Sequence, residues 1–131
     1  MINLENIKQP TNQLHLRNLG LTSSEVMAIA QALSEGTTGK KNALRSVSFS
    51  YNPLLGDRGA IALAKAFPPS IVEIGLVNCS IGDPGGKELL EWAKRARNLR
   101  MICIEQNNFS ENLKMEFRKF SHNHPHIMVV V

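Results

Sequence analysis

Three histidines near the C-terminal end are the residues of this sequence best suited to bind a metal. His122, His124 and His126 stand at alternate positions, and imidazole nitrogens at this spacing could bind a transition metal. No carboxylate or thiol accompanies them at a regular spacing, and the segment precedes the last predicted strand. We therefore interpret the segment as an exposed polar loop and expect no metal and no other cofactor.

Of the two cysteines, Cys103 is the candidate nucleophile. A cysteine–histidine pair would need Cys103 beside a histidine, yet the sequence offers neither an orienting acid nor an oxyanion-hole motif for it. The G-x-x-x-x-G-K-[ST], H-E-x-x-H and G-x-S-x-G motifs are also absent from the sequence. We therefore expect a protein that is not an enzyme.

One pattern, written four times, organises the chain that carries these residues. Its three clear copies begin at Leu44, Ile71 and Leu99, which step by 27 and 28 residues. Apolar residues alternate in the first half of each copy and recur at helical spacing in the second half, which predicts a solenoid of strand–helix units. The copies read Leu44-x-x-Val47-x-Phe49-x-x-Asn52-x-Leu54, Ile71-x-x-Ile74-x-Leu76-x-x-Cys79-x-Ile81 and Leu99-x-x-Ile102-x-Ile104-x-x-Asn107-x-Phe109, with a weaker first copy at Leu14, Leu16 and Leu21.

The pattern resembles the ribonuclease-inhibitor type of leucine-rich repeat over roughly residues 11–131. The resemblance rests on the L-x-x-L-x-L-x-x-N/C-x-L signature and on the alternation of Asn52, Cys79 and Asn107 at its ninth position. It implies an α/β fold, a short solenoid of about four to five repeats with a parallel concave sheet and helices on the convex side. We expect one domain over residues 1–131, with an N-terminal cap or arm at 1–10 and a terminal strand at 127–131.

The turns that close the strands have predicted partners. We expect the amides of Asn52 and Asn107 to be buried and to satisfy backbone groups of these turns. In the first copy Leu19 takes the ninth position, and the neighbouring Asn18 could substitute for the missing amide. In the last strand, Ile127 matches Leu99, so the spacing puts Val130 at the fourth repeat position.

The helix starts and one link are also predicted. Asp57 and Asp83 stand where a carboxylate could cap the helix that follows it. Thr22 and Glu25 match a capping box, and Ser110 can cap the last helix. Residues 34–42, rich in Gly and Lys, predict an exposed link between the first helix and the second copy.

The candidate binding residues are those that point away from the core along the strands and at their ends. Counted from the first repeat position, sites three, five, seven and eight should face the concave side. Tyrosine is a good interface anchor because it combines a large apolar ring with a hydroxyl. We predict that protein contacts are made by His15, Arg17, Asn18, Ser48, Ser50, Tyr51, Glu73, Val77, Asn78, Met101, Cys103, Glu105 and Gln106.

Composition narrows the classes of partner and compartment. The formal net charge is +4, but basic and acidic residues are interleaved on the predicted helices, which is typical of a solvated face. We therefore expect no nucleic-acid partner, and the absence of a long apolar run predicts no membrane span. Cys79 and Cys103 hold different repeat positions, so we expect free thiols and a cytoplasmic location. Residues 1–6 lack a basic flank and an apolar stretch, so we expect no ordinary secretory signal.

These observations favour a protein-binding module that sequesters or inhibits a partner protein, such as an enzyme, by steric occlusion through its concave face. Small stand-alone chains of the type it resembles occur among the effectors that bacteria place in host cells, which would put it in a host cytosol. The alternatives are a regulator of a small GTPase, of the GTPase-activating type, and a scaffold or sensor fragment of a larger receptor. The apolar C-terminal strand could also offer an open edge to a dimer mate or partner.

Overall fold

The computed structural model describes residues 3–8, 11–37 and 44–131, in which short strands alternate with helices. The strands are β1 (Gln13–His15), β2 (Ser46–Ser48), β3 (Glu73–Gly75), β4 (Met101–Cys103) and β5 (Met128–Val130). The helices are α1 (Leu4–Ile7), α2 (Ser23–Thr37), α3 (Gly56–Ala66), α4 (Asp83–Arg95) and α5 (Glu111–Asn123). All five strands form one parallel sheet in chain order, which confirms the predicted α/β repeat fold.

The core lies between one face of this sheet and the helices. Val47, Ile74 and Ile102 are register partners on β2, β3 and β4, and each is buried. Side chains alternate along a strand, so the residues on either side of this row point to the opposite face. We call that opposite face, which turns away from the helices, the concave face. A strand, its closing turn and the following helix are called a unit, so β1 to β4 open the first to fourth units.

Neighbouring helices pack closely because small and aromatic residues fit into each other. The indole of Trp92 is buried, donates from Nε1 to the Phe67 carbonyl at 3.3 Å, and meets the Phe67 ring edge-on. Trp92 therefore belongs to the core and is not part of an exposed helical surface. A Cβ on Gly86 would lie 2.6 Å from a methyl carbon of Leu113, so any larger residue where α4 meets α5 would force that side chain to shift.

The N-terminal helix packs against α2. Ile7 is buried, and the Lys8 ammonium pairs with Glu5 at 3.1 Å and with Glu35 at 2.8 Å. Residues 1, 2, 9 and 10 of the predicted N-terminal cap lie outside the described residues. The predicted exposed link at 34–42 is wrong for its first part, because α2 continues through Thr37; its remainder lies outside the described residues.

The turn of the second unit contains one residue more than the pattern predicts. Leu54, expected in the core, is 61% exposed, whereas Leu55 is completely buried. Leu55 and Ile81 are the equivalent buried residues of the second and third units, and they are one residue closer in sequence than β2 and β3 are. The extra residue of the second turn bulges into solvent. Among the helices that the structure describes, none has the length and apolar character needed to cross a membrane.

The last strand pairs in a register that differs by one residue from the predicted one. Val129, not Val130, is the partner of Ile102, and it packs against the core. A shift of one residue exchanges the two faces of a strand. Met128 and Val130 therefore lie on the concave face, beside Met101 and Cys103.

Candidate protein-binding surface

The closing turns are held by amide side chains that each serve two units. Asn52 is completely buried; its Oδ1 accepts from the N–H groups of Leu19 and Leu21, both at 3.0 Å. Its Nδ2 donates to the carbonyls of Leu16 and Phe49 at 2.8 and 2.7 Å. The predicted role of Asn52 is confirmed, and four backbone groups of the first and second turns depend on it.

Asn107 repeats this arrangement between the third and fourth units. Its Oδ1 accepts from the N–H groups of Cys79 and Ile81, and its Nδ2 donates to the carbonyls of Leu76 and Ile104. The predicted hydrogen bonds are confirmed, but the predicted burial is wrong for Asn107, which is only half-buried. No described turn stacks beyond it, so water reaches this side of the amide.

At the ninth repeat position Asn alternates with another residue because one amide binds the turns of two neighbouring units. The Cys79 thiol donates to the Phe49 carbonyl at 3.2 Å, and burial raises the pKa of that thiol. In the first unit Leu19 needs no amide because Asn52 reaches back to it. The expected substitution by Asn18 is therefore wrong.

Asn18 has a different structural role, which it shares with the eighth position of each unit. The backbone of Asn18, Tyr51, Asn78 and Gln106 has positive φ, between 53° and 65°. Asn adopts this left-handed conformation readily, whereas a bulky aromatic residue does so at a cost. Asn18 and Asn78 thus suit their backbone, but Tyr51 does not.

The predicted helix caps act one unit further along the chain than expected. Asp57 lies inside α3, and its Oδ1 accepts from the N–H groups of Gly82 and Gly85 at the start of α4. Asp83 likewise accepts from the Ser110 N–H, and hydrogen bonding from the Ser110 side chain and then its backbone lowers the pKa of the Asp83 carboxyl. The prediction that Asp57 and Asp83 cap their own helices is wrong, because the carboxylates reach across to the next helix start.

Two other cap predictions are confirmed. Thr22 and Glu25 make the reciprocal bonds of a capping box, with the Thr22 N–H donating to Glu25 and the Glu25 N–H donating to the Thr22 hydroxyl. The Ser110 hydroxyl accepts from the Leu113 N–H at 3.2 Å. Each of these two helix starts involves residues only three positions apart, so the local sequence was sufficient to predict it.

A chain of polar side chains crosses three strands of the concave face. The His15 ring nitrogen Nε2 lies 2.8 Å from the Ser46 hydroxyl, which donates to a Glu73 carboxylate oxygen at 2.7 Å. The acid contacts the serine and not the histidine, which is the wrong order for a histidine base that an acid orients. The two hydrogen bonds hold the three side chains in place and do not orient His15 to activate Ser46 as a nucleophile.

The middle of the concave face is lower than its surroundings. Ser50, predicted to contact a partner, is buried with its hydroxyl accepting from the Val77 N–H at 3.0 Å, so its predicted exposure is wrong. Gly75 lacks a side chain between the hydroxyls of Ser48 and Ser50. A depression of about 230 Å³ results, with His15 at one side and Met101 at the other.

Cys103 lies in this depression but is a poor nucleophile. Burial raises the pKa of its thiol, and the nearby carboxylates of Glu105 and Glu73 raise it further. A low pKa is what makes a cysteine reactive, so this environment suppresses the thiolate. Glu105 is half-buried, and its Oε1 is enclosed without a hydrogen-bond partner.

The rim of the concave face carries an exposed aromatic ring, that of Tyr51. The Arg17 guanidinium carbon lies 5.5 Å from the centre of the Tyr51 ring, close enough for a cation–π contact. Tyr51 is 37% exposed, and Arg17 is exposed beside it. The contact joins the first and second units and holds the ring in one orientation.

The concave face is apolar at its C-terminal end, on β4 and β5. Met128 is 57% exposed next to Met101, and Val130 lies next to Cys103. The sequence did not identify Met128 and Val130 as surface residues because the predicted register placed them differently. Flexible methionines suit a contact surface that must adapt to its partner.

The predicted contact residues therefore differ in accessibility. Ser50 is buried, and the half-buried ones are Ser48, Val77, Met101, Cys103 and Glu105. The exposed ones are His15, Arg17, Asn18, Tyr51, Glu73, Asn78 and Gln106. Their repeat positions bring them to one face and its rim, since equivalent residues of neighbouring strands lie side by side.

The three histidines do not form one exposed loop. His122 belongs to α5, so that part of the prediction is wrong. The His124 ring stacks on Phe120 and its Nδ1 lies 2.9 Å from the Phe120 carbonyl. In residues 3–8, 11–37 and 44–131, no three His, Cys, Asp or Glu side chains are grouped to hold a metal ion.

Comparison with known proteins agrees with this geometry. A family model described as Leucine Rich repeat matches residues 40–64, a stretch that includes β2, its closing turn and most of α3. No curated protein matches the chain. The family match and the stacked strand–helix units together support a leucine-rich repeat protein, a class that generally serves as a protein-interaction module.

Proposed function

We propose that the chain binds a partner protein through its concave face and the rim at Tyr51. The partner's surface covers the face, and where the partner is an enzyme this contact blocks access to its active site. Strand residues lose little freedom on binding because the parallel sheet already orders them. The mechanism is steric occlusion and requires no chemistry from this chain.

Tyr51 is the observation on which the proposal mainly rests. Its backbone has φ of 65°, a conformation that its equivalents Asn18 and Asn78 adopt more easily. A side chain kept at a conformational cost is often kept for function. Arg17 holds the ring at the rim, which makes it a preorganised anchor of the kind that dominates protein interfaces.

The concave face offers two kinds of contact to this partner. The hydrogen-bonded His15, Ser46 and Glu73 provide a polar region, and Met101 with Met128 provides an apolar one. Interfaces commonly combine apolar and polar areas. A protein surface with both features fits this face better than a small polar metabolite does.

The compartment of this interaction is a reducing one such as the cytosol. Two free cysteines, Cys79 and Cys103, support this location, since neither is used for a disulfide. The resemblance to small bacterial effectors would make it a host cytosol. The partner is then a protein of that compartment.

A capture experiment with two matched variants tests the proposal. The wild-type chain, Tyr51→Asn and Met115→Gln are immobilised, and proteins retained from a cytosolic extract are compared by quantitative mass spectrometry. Tyr51→Asn removes the ring but suits the backbone, whereas Met115→Gln changes an exposed apolar side chain on α5. The partner should be lost from Tyr51→Asn alone.

The affinity for the identified partner gives the decisive number. We expect Tyr51→Asn to weaken binding by about tenfold or more, as truncation of an aromatic anchor commonly does. Equal affinity for the wild-type chain and Tyr51→Asn would contradict binding at this rim. The outer edge of β5, which could contact a partner or a second copy by strand addition, would then be the better candidate.

A further inference from the structure

A second surface lies at the edge of the sheet where the chain enters its strands. A cleft of about 540 Å³ opens there, and its lining includes Arg45, Pro69, Val72, Arg97, Asn98 and Arg100. Three of these residues are arginines, and none is acidic. The cleft is separate from the concave face and from Tyr51.

The repeat geometry brings two of the arginines into one row. Arg45, Val72 and Arg100 directly precede β2, β3 and β4. The Val72 N–H donates to the Arg45 carbonyl, and the Arg100 N–H donates to the Val72 carbonyl, both at 2.7 Å. Neighbouring strands are about 4.8 Å apart, so the backbones of Arg45 and Arg100 are about 10 Å apart, with Val72 between them.

Side-chain hydrogen bonds hold the cleft in shape. One guanidinium nitrogen of Arg100 donates to the Leu99 carbonyl at 2.8 Å, which leaves its other nitrogens for a ligand. The Asn98 amide donates to the Pro69 carbonyl at 2.8 Å and ties the loops of two units together. The walls are therefore built before any ligand arrives.

The positive charge of the cleft exceeds what the neighbouring helix end requires. Lys94 and Arg95 already occupy the last turn of α4, where cations offset the helix dipole. None of the ion pairs formed by residues 3–8, 11–37 and 44–131 joins an acidic side chain to Arg97 or Arg100. Positive charge is thus concentrated in a chain whose formal net charge is only +4.

We propose that this cleft binds an acidic, extended segment of a protein partner. Guanidinium groups bind carboxylates through two parallel hydrogen bonds, and extended residues three positions apart are about 10 Å apart. Two acidic residues at that spacing match Arg45 and Arg100, while the side chains between them rest on Val72. Nucleic acid fits less well, because none of the described residues that line the cleft is an aromatic that could stack on bases.

Backbone-amide NMR of the labelled chain tests the assignment. The probe is a short synthetic peptide with two glutamates three positions apart, titrated at near-physiological salt beside the same peptide with glutamines. We expect saturable shifts at Val72, Asn98 and Arg100 with the glutamate peptide alone. Equal binding of the glutamine peptide, or shifts spread over all basic residues, would overturn the proposal.

Paired variants separate the cleft from net charge. Arg97→Gln with Arg100→Gln should weaken peptide binding by at least about tenfold, because the carboxylate contact of Arg100 and the neighbouring positive charge of Arg97 are both lost. Arg58→Gln with Arg118→Gln removes the same charge from exposed helix positions and should leave binding unchanged. An equal loss in the control pair would refute a specific cleft; if the first pair fails to fold, Arg97→Gln alone replaces it.

Two further measurements identify the class of ligand and show whether the cleft binds it independently of Tyr51. A single-stranded oligonucleotide of equal charge should bind the cleft more weakly than the peptide, and tighter binding would show that the protein assignment is wrong. Tyr51→Asn should bind the glutamate peptide like the wild type, because the ring lies outside the cleft. Failure of the concave-face proposal is therefore distinguishable from failure of this one.

Discussion

At the scale of single residues, Asn52 shows how one amide can join two units. Replacing Asn52 by Leu removes the amide partner of two backbone N–H groups and two carbonyls, of which the Phe49 carbonyl keeps the Cys79 thiol as a donor. We expect a loss of about 1–3 kcal/mol in the free energy of unfolding, measured by urea titration. Asn107→Leu is the matched control and should cost less, because water reaches the half-buried Asn107. Equal costs would contradict the effect of burial.

Replacing Tyr51 should raise the stability of the fold, whereas replacing Asn52 should lower it. Tyr51→Asn replaces a bulky residue at positive φ by one that adopts this conformation readily. We expect the free energy of unfolding to rise by about 0.5–1 kcal/mol, since the backbone cost falls by more than the loss of the Arg17 contact. Thermal melting of the two proteins measures this. A variant that is less stable than the wild type would show that the ring contributes to folding and would weaken the case for a functional role.

At the scale of elements, a carboxylate from one helix caps the N-terminal end of the next helix. Hydrogen bonding from the Ser110 side chain, and then from its backbone N–H, holds the pKa of Asp83 below its ordinary value of 3.8. A carboxyl with a lowered pKa stabilises the fold above that ordinary value, and the stabilisation is lost as pH falls through the folded-state pKa. Asp83→Asn retains an oxygen acceptor but has no charge to titrate.

The wild-type chain should therefore lose more stability than Asp83→Asn as pH falls below about 4. Melting temperatures of both proteins across this range measure the difference. Glu25, whose pKa is also lowered by hydrogen bonds to Thr22, titrates in both proteins and cancels in the comparison. If the melting temperatures of both proteins fall equally with pH, the hydrogen bonding between Asp83 and Ser110 does not depend on the charge of the Asp83 carboxyl.

The last strand permits a test of register by two identical substitutions. Val129 packs against the core, whereas Val130 lies on the concave face. Val129→Ala should lower the free energy of unfolding by about 1 kcal/mol, and Val130→Ala should change it by less than about 0.5 kcal/mol. Urea unfolding of both variants measures this. A larger effect at Val130 would support the register that the repeat spacing predicted.

At the scale of the whole molecule, the units form one continuous core. Each unit covers its neighbour, and Trp92 is buried between helices far in sequence from Asn52. A short stack of this kind should unfold in one transition, because no unit buries its apolar face alone. Asn52→Leu should lower the midpoint reported by Trp92 fluorescence and that reported by far-ultraviolet circular dichroism equally. Separate midpoints would show that the units unfold independently.

The sequence by itself determined the fold and the residues that repeat. The period, the alternation around Val47, Ile74 and Ile102, and the ninth-position amides were sufficient for a parallel sheet with helices on one side. These features are local or recur at a fixed step, so each can be read without knowing how the units pack. The same is true of the capping box at Thr22 and Glu25. The face to which most candidate contact residues belong could also be predicted, because it follows from strand alternation.

Only the tertiary structure decided which atoms meet across units. Asp57 and Asp83 cap the next helix, Leu55 replaces Leu54 in the core, and the register of β5 shifts by one residue. The burial of Ser50 and the arginine cleft depend likewise on neighbours that lie a full unit away in sequence. A single insertion or a one-residue slip leaves the apolar pattern almost unchanged but redirects side chains. The packing of successive units, which the pattern does not specify to one residue, therefore decided the details of both candidate surfaces.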